Sequence, residues 1–358
     1  MNILFVFSNV NDEYQNELNI AYQKLQGKKK NLLHQIFSHE LTIEYLKKHH
    51  ISLVITGNLS EQWIYILRGM RIVSLVFGDA QEYHHKADIV IDFKGTDSVK
   101  YFSGHSYSLS NPDFDFEEVS NLVCILKWDS DFFGFPIALI GSRYLTDNIQ
   151  HHIEYFIKEN NIRLLQYLCN CHDDRSVKVA ERNNFHFTDI RLTFNISLKE
   201  PYQIDDLPYQ LGVASPENIE YLKELTNFLY KDSRYFYDGN FELNKINEFY
   251  ASWIEKAILG TFDDCCFCLY ENGLPIGFCT VKYSKAASAN IGLFGMDQRY
   301  AGKGLGKLLI LNVFNELIKK GIKNVNVVTQ GRNYVAQRLY QSVGFKTLST
   351  QLWYHKWI

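Results

Sequence analysis

Three glycines at alternate positions near the C-terminus form a pattern with clear chemical potential. They are Gly302, Gly304 and Gly306 in the stretch RYAGKGLGKLL (residues 299–309), where lysines lie between and after them and an apolar run follows at once. A strand, a glycine-rich turn and a helix N-terminus together bind anions, because free backbone N–H groups point outward and the helix dipole favours negative charge. The pattern predicts a pyrophosphate site, with a merely flexible helix entry as the alternative.

Two familiar phosphate motifs do not fit this stretch. A P-loop requires Ser or Thr after its Gly-Lys pair, whereas Leu308 follows Lys307. A dinucleotide-binding loop belongs in a first βαβ unit with an acidic residue about 20 positions further on. Here the glycines follow a predicted antiparallel hairpin, so neither motif explains them.

The seven cysteines and twelve histidines do not predict a metal site. The CCFC cluster (residues 265–268) has no second His or Cys pair at zinc spacing, and Cys266 with Cys268 fits simple alternation along a strand. Adjacent histidines such as His84 and His85 chelate poorly, because neighbouring residues point in different directions on a strand or a helix. We therefore expect no metal.

Composition narrows the class of protein. The 358 residues are 46% apolar and 22% charged with a net charge of -3, which is typical of a globular protein with a large core and two or three domains. The small net charge argues against general nucleic-acid binding. The start of the chain lacks the features of a signal peptide, and no apolar run approaches the ~20 residues that span a bilayer. With the odd cysteine count, these features predict a cytoplasmic protein without a membrane partner.

The elements that must position the glycines are predicted from local patterns. CCFCLY and LPIGFCTVKYS flank the turn Asn272-Gly273 and predict a hairpin, and ANIGLFGM is the next strand. After the glycines, apolar residues recur at helical spacing at Leu305, Leu308, Leu309, Val313 and Leu317. The strand VNVVTQ, a helix capped by Asn333 and ended by Gly344, and the strand TQLWYHKW complete this region.

The first part of the chain has a different pattern. Residues 1–116 contain the short apolar runs NILFVFS, ISLVITG, IVSLVFGDA and ADIVIDF, and the stretch LHQIFSHELTIEYLKKHH reads as a polar helix. Such alternation predicts βαβ units and a parallel sheet. The acidic segment SNPDFDFEE marks a boundary, and we expect three domains, at 1–116, 122–200 and 201–358.

The last two of these domains share an internal repeat. Residues 175–196 align with residues 335–356 at an offset of 160, which brings Phe185 onto Phe345. The first copy has Ala180 where the second has Tyr340, and no glycine-rich turn precedes it. Unless the short match is a coincidence, the region consists of two similar halves of which only the second is chemically equipped.

The order of hairpin, strand, AGKGLGKLL, helix, VNVVTQ and N…A…LY…GF resembles the GNAT acyl-CoA N-acetyltransferases. The resemblance implies an α+β fold and acetyl-CoA as co-substrate. The implied cofactor-binding residues are Leu293, Phe294, Ala301, Gly302, Lys303, Gly304, Leu305, Gly306, Lys307 and Asn333. The Arg or Gln that opens the family motif falls at Ala301 in one register, a departure, and at Arg299 in the other.

The resemblance also implies how these residues act. Tyr340 is the acid that protonates the leaving CoA thiolate, with a buried core tyrosine as the alternative. A backbone N–H at Leu293 or Phe294 polarises the thioester carbonyl. Asn333 either touches pantetheine or caps its helix. No residue is a convincing general base, and a weakly basic sugar amine can lose its proton to water.

Four longer stretches resemble the GNAT enzymes of the dTDP-fucosamine acetyltransferase type: WDSDFFG, SRYFYD, FYASWIEKAILGTFDDCC and IGLF…AGKGLG. This likeness runs from about residue 122 to 358 and implies N-acetylation of a nucleotide-linked amino-dideoxy sugar, with UDP or dTDP left open. The implied substrate-binding residues are Arg234, Tyr235, Tyr237, Asp238, Trp128, Asp129 and Phe133. Arg234 suits the diphosphate because its planar fork matches phosphate geometry; a surface ion pair is the alternative.

The N-terminal region resembles half of a nucleotide-sugar hydrolase of the pseudaminic acid type, through ISLVITG, IVSLVFGDAQEYHHKADIVIDF and GHSYSLSNPDF. The resemblance implies a Rossmann-like domain, one half of a GT-B fold. The loop in which that family carries its catalytic histidine reads SNVNDEYQNEL here and has neither glycine nor histidine. We therefore expect this domain to be non-catalytic, either a relic or a platform that retains the sugar nucleotide or holds a homodimer together.

Two other classes of function stay open from the sequence. One is a non-catalytic module that binds nucleotide sugars, which a thiol-release assay would distinguish from an enzyme. The other is an N-acetyltransferase of peptide or protein amines, which would need an extended charged peptide groove that the sequence does not show.

Overall fold

The structure is a computed structural model that describes residues 2–8, 15–26, 32–57, 59–77, 87–92, 98–102, 105–109, 122–142, 144–204, 207–227, 229–284 and 287–358. It divides into two compact units, residues 1–186 with 354–358 and residues 187–353. The predicted boundary at residues 110–118 and the pair His84-His85 lie outside the described residues. The three predicted domain limits stay predictions.

Five parallel strands form most of a seven-stranded sheet in the first unit. The strands are β1 (Asn2–Phe7), β2 (Leu32–Phe37), β3 (Leu53–Thr56), β4 (Val73–Phe77), β5 (Ile89–Asp92), β6 (Ser98–Phe102) and β7 (His105–Leu109), in the order β2-β1-β3-β4-β5-β6-β7. Strands β1 to β5 are parallel to one another. Strand β6 pairs antiparallel with β5, and β7 pairs antiparallel with β6. The connecting helices are α1 (Gln15–Gln26), α2 (Ile43–Lys48) and α3 (Glu61–Met70). Strands β3 and β4 are buried along their whole length, as in parallel sheets covered on both faces. The predicted parallel sheet is confirmed.

The helix predicted from residue 33 was wrong in its first half. Residues 32–37 form β2, which pairs in parallel with β1 from Asn2↔Leu32 to Phe7↔Phe37. Within this strand only Ile36 is buried, because β2 lies at the edge of the sheet and tolerates the polar residues that gave it a helical appearance. The helix itself begins at Ile43, where the Thr42 hydroxyl accepts a hydrogen bond from the Tyr45 N–H.

The first unit also contains the first copy of the repeat. Its elements are β8 (Val123–Ile125), α4 (Lys127–Phe133), β9 (Ile137–Ile140), α5 (Asp147–Glu159), β10 (Leu164–Asn170) and α6 (Asp174–Arg182). Strand β9 pairs in parallel with β10 and antiparallel with β8. The helix predicted near 147–159 is confirmed, and the Thr146 hydroxyl caps it by accepting from the Ile149 N–H at 3.3 Å.

Arg71 joins the β1–β7 sheet to the β8–β10 part within this unit. It ends α3 with a left-handed backbone (φ 61°) and donates to both carboxylate oxygens of Asp173 and, at 2.7 Å, to the Ser176 hydroxyl. Asp173 in turn caps α6 through the Ser176 N–H. The side chains of Arg71 and Asp173 are only 15% and 11% exposed, so each charge depends on the other for compensation.

The second unit is built on a mixed sheet. Its elements are β11 (His186–Ser197), β12 (Gln210–Val213), α7 (Ile219–Thr226), α8 (Arg234–Asp238), α9 (Leu243–Ile258), β13 (Cys265–Glu271), β14 (Leu274–Ser284), β15 (Ser288–Met296), α10 (Leu305–Lys319), β16 (Asn324–Gln330), α11 (Tyr334–Ser342) and β17 (Lys346–Trp357). The strand order is β12-β13-β14-β15-β16-β11-β17. The β15–β16 pair is parallel, and the pairs β12–β13, β13–β14, β14–β15 and β16–β11 are antiparallel. The predicted hairpin is confirmed, with positive φ at both Asn272 and Gly273.

Helix α10 packs on this sheet and follows the glycine-rich stretch. Its fully buried residues are Leu305, Leu309, Ile310, Val313, Phe314 and Leu317. The predicted apolar face is therefore confirmed, although Leu308 is only partly buried at its margin. This packing fixes the direction of the helix, so the glycine loop is held at a defined N-terminus.

The structure bears out the repeat element by element. Strands β10 and β16, helices α6 and α11, and strands β11 and β17 correspond with every bound shifted by 160 residues. The two copies also exchange their last strands. Strand β11 follows the first copy but pairs antiparallel with β16, while residues 354–358 at the end of β17 belong to the first unit, where the Ile358 N–H donates to the Arg163 carbonyl at 3.0 Å.

Candidate active site

Two neighbouring parallel strands of the second unit separate partway along their length. Strands β15 and β16 pair from Ser288↔Asn324 to Ile291↔Val327, yet β15 continues to Met296 and β16 to Gln330. Beyond Ile291 and Val327 the two backbones diverge, so backbone groups at their carboxyl ends face an opening rather than a partner strand. We call this region the strand opening.

The glycine loop leads from β15 to α10. Gly302 and Gly304 have φ values of 74° and 77°, which L side chains rarely adopt, and a Cβ on either would meet no atom within 4 Å. Gly304 is the N-cap residue of α10, and among the described residues no side chain caps this helix. The first-turn N–H groups and the exposed Lys303 and Lys307 therefore form a positive end suited to a pyrophosphate.

Arg299 precedes the loop and is held by its neighbours. Its Nε donates to Asp297 Oδ2 at 2.9 Å, and its Nη2 donates to the Tyr221 hydroxyl at 3.2 Å. The hydrogen bonds from Arg299 lower the pKa of Asp297 below its usual value. Arg299 thus anchors the start of the loop, and Ala301 is exposed within it.

Tyr340 lies on α11 and is 4% exposed in the core below the sheet. Its ring packs against Phe194 and Phe345, with centroids 6.0 and 5.7 Å away. Burial, with a smaller contribution from Cys279, raises the pKa of Tyr340 well above its usual value. The hydroxyl therefore keeps its proton at neutral pH, which a proton donor requires, although the packing alone also fits a structural tyrosine.

Leu293 does not have the free N–H group that its predicted role requires. Its N–H donates to the Thr280 hydroxyl at 2.7 Å, so it is not available to polarise a thioester carbonyl. The side chain of Leu293 is buried as well. Of the two candidates, Phe294 remains, and the Tyr230 hydroxyl donates to the Phe294 carbonyl at 3.4 Å. Asn333 caps α11, since its Oδ1 accepts from the Ala336 N–H at 3.0 Å.

Arg332 and Asp189 were missed by the sequence interpretation. Arg332 lies two residues after the end of β16, and its Nη1 donates to the Thr188 carbonyl at 2.9 Å and forms an ion pair with Asp189 Oδ1 at 3.1 Å. Asp189 is 1% exposed, and among the described residues its Oδ2 has no hydrogen-bond partner. Burial raises its pKa to about 6, although Arg332 and Arg234 both act to lower it.

Two arginines in this region stack on aromatic rings. The Arg332 guanidinium lies 3.7 Å from the ring centroid of Tyr237, and the Arg234 guanidinium lies 4.3 Å from those of both Tyr235 and Trp353. Such stacking fixes the planes of the two guanidinium groups. We call Arg234, Arg332, Asp189, Tyr237 and Trp353 the arginine cluster.

The segment that contains Tyr230 and Tyr237 crosses the strand opening. Tyr230 bonds to Phe294 on β15, while Tyr237 stacks with Arg332 just beyond β16. The arginine cluster is therefore at the same end of the sheet as the opening. Tyr235 is 2% exposed and packs against Phe241 and Phe249, which assigns its ring to the core.

The remaining predicted substrate residues have separate positions. Asp238 accepts from the Asn240 N–H at 3.1 Å at the end of α8. Trp128, Asp129 and Phe133 lie on α4 in the first unit, where the Phe133 ring contacts Phe132 and Phe135. Their predicted contact with substrate stays a prediction.

No group of three or more His, Cys, Asp and Glu side chains is arranged to hold a metal ion in the part of the chain that the structure describes. The seven cysteines are free thiols. Within the described residues, no helix combines the length and apolar character that a membrane span requires.

Comparison with known proteins shows a family similarity in the second unit. Residues 225–345 match the profile of the "Acetyltransferase (GNAT) family". The match includes the strand opening, the glycine loop and Tyr340.

Two curated relatives are more specific. The chain is 31% identical over 145 residues to "dTDP-fucosamine acetyltransferase" of Escherichia coli O6:H1, which is 40% of this chain and 62% of that protein. It is 26% identical over 149 residues to "Spore coat polysaccharide biosynthesis protein SpsD" of Bacillus subtilis, 42% of this chain and 51% of that protein. The aligned regions thus span between half and two thirds of each relative. Among solved structures, a GCN5-related N-acetyltransferase from Sphaerobacter thermophilus gives a TM-score of 0.48 at 14% identity, covering 69% of this chain and 87% of that one.

Proposed function

We propose that this protein is an acetyl-CoA-dependent N-acetyltransferase that acts on the amino group of a nucleotide-linked amino-dideoxy sugar, a UDP- or dTDP-4-amino-4,6-dideoxyhexose. The observation that carries the proposal is the glycine loop beside the strand opening, inside the region that matches the GNAT family. The name of the first relative supports the sugar-nucleotide class, and the names of both relatives suit synthesis of a surface glycan or nonulosonic acid.

The donor side of the site is formed by the loop and the opening. The pyrophosphate of CoA is negatively charged and is attracted to the positive N-terminus of α10. The first-turn N–H groups, Lys303 and Lys307 would bind it there. The opening beyond Ile291 and Val327 suits the pantetheine arm. The Phe294 N–H then polarises the thioester carbonyl as the sugar amine attacks it.

Proton transfer falls to Tyr340 in this proposal. The acetyl carbon forms a bond to the sugar nitrogen and breaks its bond to sulfur, which leaves as thiolate and takes the phenolic proton. The raised pKa keeps Tyr340 protonated until negative charge develops on the sulfur. The nitrogen loses its own proton to water, since no base is assigned, and a proton from water restores the phenol.

The acceptor side is the arginine cluster. Arg234 and Arg332 present stacked guanidinium groups next to the opening, and guanidinium is the side-chain group best suited to a diphosphate. Tyr237 is 54% exposed and is available to contact the nucleotide or sugar. Asp238 lies beside it, and a substrate contact of Trp128, Asp129 and Phe133 in the first unit stays a separate prediction.

The N-terminal domain has a supporting role in this proposal. Its strand order β2-β1-β3-β4-β5 is the flavodoxin-like order of doubly wound folds and differs from the Rossmann order, so the proposed relation to half of a GT-B hydrolase rests on the sequence resemblance alone. We assign it no hydrolysis, because the loop after β1 lacks the histidine of the related family. It serves as a platform, either for the sugar nucleotide or for a homodimer.

The proposal is tested by mass spectrometry of full-length protein incubated with acetyl-CoA and a panel of UDP- and dTDP-linked 4-amino sugars. We expect one acetyl group to be added to at least one sugar nucleotide, with release of an equal amount of free CoA thiol. Control reactions contain the matching 4-hydroxy sugar nucleotides, which lack the amine. Acetylation of peptide amines with no sugar product would contradict the proposed substrate class.

A further inference from the structure

Where β15 enters the strand opening, a backbone N–H donates to the side chain of Thr280 and not to a backbone carbonyl of the neighbouring strand. Two residues of β15, Gly292 and Leu293, face the single residue Thr280 of β14, because the register moves from Val281↔Ile291 to Cys279↔Phe294. This is a β-bulge, a feature that redirects a strand and is frequent beside active sites. The Leu293 N–H donates to the Thr280 hydroxyl at 2.7 Å.

A buried carboxylate determines how that hydroxyl is oriented. The Thr280 hydroxyl donates to Asp263 Oδ2 at 2.5 Å, so its lone pairs face the Leu293 N–H. The Trp253 indole N–H donates to the same oxygen at 2.9 Å. Asp263 and Thr280 are 3% and 0% exposed, and burial raises the pKa of Asp263. In such a low-dielectric setting each hydrogen bond strengthens the next.

Gly292 is the residue that lets the carboxylate come this close. A Cβ at position 292 would overlap Asp263 Oδ2 and lie 2.8 Å from the Thr280 hydroxyl oxygen. Its φ is not in the left-handed range, so the glycine is required by space and not by backbone conformation. Gly292 begins the stretch of β15 that no longer pairs with β16.

From this arrangement we propose that Thr280 and Asp263 are positioning residues for acetyl transfer, which fix the bulge of β15 so that the Phe294 N–H is aimed at the thioester carbonyl. The inference rests on the proposed function. Neither side chain touches the substrate in this account. They act through the backbone of residues 292–294, which no longer has the support of β16 and would otherwise relax. A displacement of about 1 Å at a reacting group costs on the order of 100-fold in rate.

The test compares Thr280→Val with Thr280→Ser. Valine has nearly the shape of threonine but cannot accept from the Leu293 N–H or donate to Asp263, whereas serine keeps both hydrogen bonds. We expect Thr280→Val to lower kcat by roughly 10- to 100-fold with little change in the KM for acetyl-CoA. Thr280→Ser should remain within about threefold of wild type, a bound set by the loss of one methyl group.

A spectroscopic measurement separates positioning from loss of structure. The carbonyl stretch of acetyl-CoA labelled with carbon-13 at the carbonyl is recorded by infrared spectroscopy in complexes without acceptor. A hydrogen bond from the backbone lowers this frequency, so we expect the wild-type and Thr280→Ser complexes to show a lower value than the Thr280→Val complex. Binding of free CoA, which has no acetyl carbonyl, should be unchanged in all three.

The outcomes distinguish this inference from the proposed function. A wild-type protein that neither binds CoA nor acetylates a sugar amine contradicts the proposed function. An active wild type with a Thr280→Val variant that binds CoA and keeps kcat within twofold overturns the positioning role alone. If Thr280→Val does not fold, Thr280→Ala decides, because it also removes the hydroxyl and adds no bulk: an unchanged kcat and carbonyl frequency in Thr280→Ala would overturn the inference.

Discussion

Tyr340 illustrates how one environment can serve both stability and chemistry. The same aromatic neighbours that bury its ring also raise its pKa, so the hydroxyl is neutral over the working pH range. The raised pKa also makes the phenol a weaker acid, so the proposed donation to the thiolate depends on negative charge developing on the sulfur next to the hydroxyl.

We expect Tyr340→Phe to lower kcat by ~100-fold, the usual scale for loss of a general acid, while KM moves little because the proton matters in the transition state. Steady-state kinetics with acetyl-CoA and the sugar nucleotide provide the measurement. Tyr334→Phe is the matched control, since Tyr334 is 64% exposed on the same helix and should have no effect. A kcat for Tyr340→Phe within twofold of wild type would return Tyr340 to a packing role.

Arg332 and Asp189 show what a residue pattern cannot predict. The sequence places them 143 positions apart with no motif, and only pairing of β11 beside β16 brings them within 3.1 Å. Opposing effects act on the pKa of Asp189. Burial raises it, and the guanidinium groups of Arg332 and Arg234 lower it. The sequence did contain one weak indication for Arg332. It lies between the end of a predicted core strand and the helix cap Asn333, a position from which a side chain can reach a ligand.

At the scale of elements, the packing of α10 determines how the glycine loop is oriented. The helix is fixed by its buried face, and the two positive-φ glycines turn the chain so that the first-turn N–H groups face outward. The packed helix fixes the direction of the loop, and the space next to Gly302 and Gly304 is open. Close contact with a phosphate requires both features.

Gly304→Glu should abolish CoA binding, because it places a negative side chain at the N-terminus of α10. Gly321→Glu is the matched control. Gly321 follows the other end of the same helix with φ 76°, and its added Cβ would likewise meet no atom within 4 Å. Both variants therefore introduce similar backbone strain and the same charge. Isothermal titration calorimetry should show lost binding only for Gly304→Glu, and unchanged CoA affinity in that variant would contradict the assignment of the loop.

At the scale of the whole molecule, the exchanged strands and the Arg71–Asp173 ion pair limit how the chain can be divided. A cut near residue 121 appears natural from the sequence. It would nevertheless leave Asp173 of the first repeat copy without the guanidinium that compensates its charge. Breaking a buried pair by removing one partner costs on the order of 3–5 kcal/mol.

The effect of Asp173→Asn should therefore be much larger in the full chain than in the fragment 122–358. In the full chain it removes the partner of Arg71 and lowers the melting temperature. In the fragment Arg71 is absent and the carboxylate faces water, so the melting temperature should change little, while asparagine still caps α6. Differential scanning fluorimetry of the four proteins makes the comparison. Destabilisation of similar size in both backgrounds would show that the ion pair does not couple the two parts.

Local patterns predicted a large share of the fold. The hairpin at Asn272-Gly273, the apolar face of α10, the parallel strands of the N-terminal sheet and the cap at Asn333 were all predicted from spacing or turn chemistry. Each depends on residues a few positions apart, so the sequence carries the information directly. The repeat could also be predicted, because its two copies retain similar residues at a fixed offset.

Only the tertiary structure decided the features that depend on distant partners. Residues 32–37 are a strand because β1 pairs with them, although their own polarity favoured a helix. The Leu293 N–H is occupied because a bulge brings Thr280 to it, and the arginine cluster exists because the copies exchange their last strands. Sequence therefore predicted most of the elements and the position of the glycine loop between β15 and α10. Long-range packing determined which backbone groups remain free and which charges meet, since both depend on contacts between residues far apart in the chain.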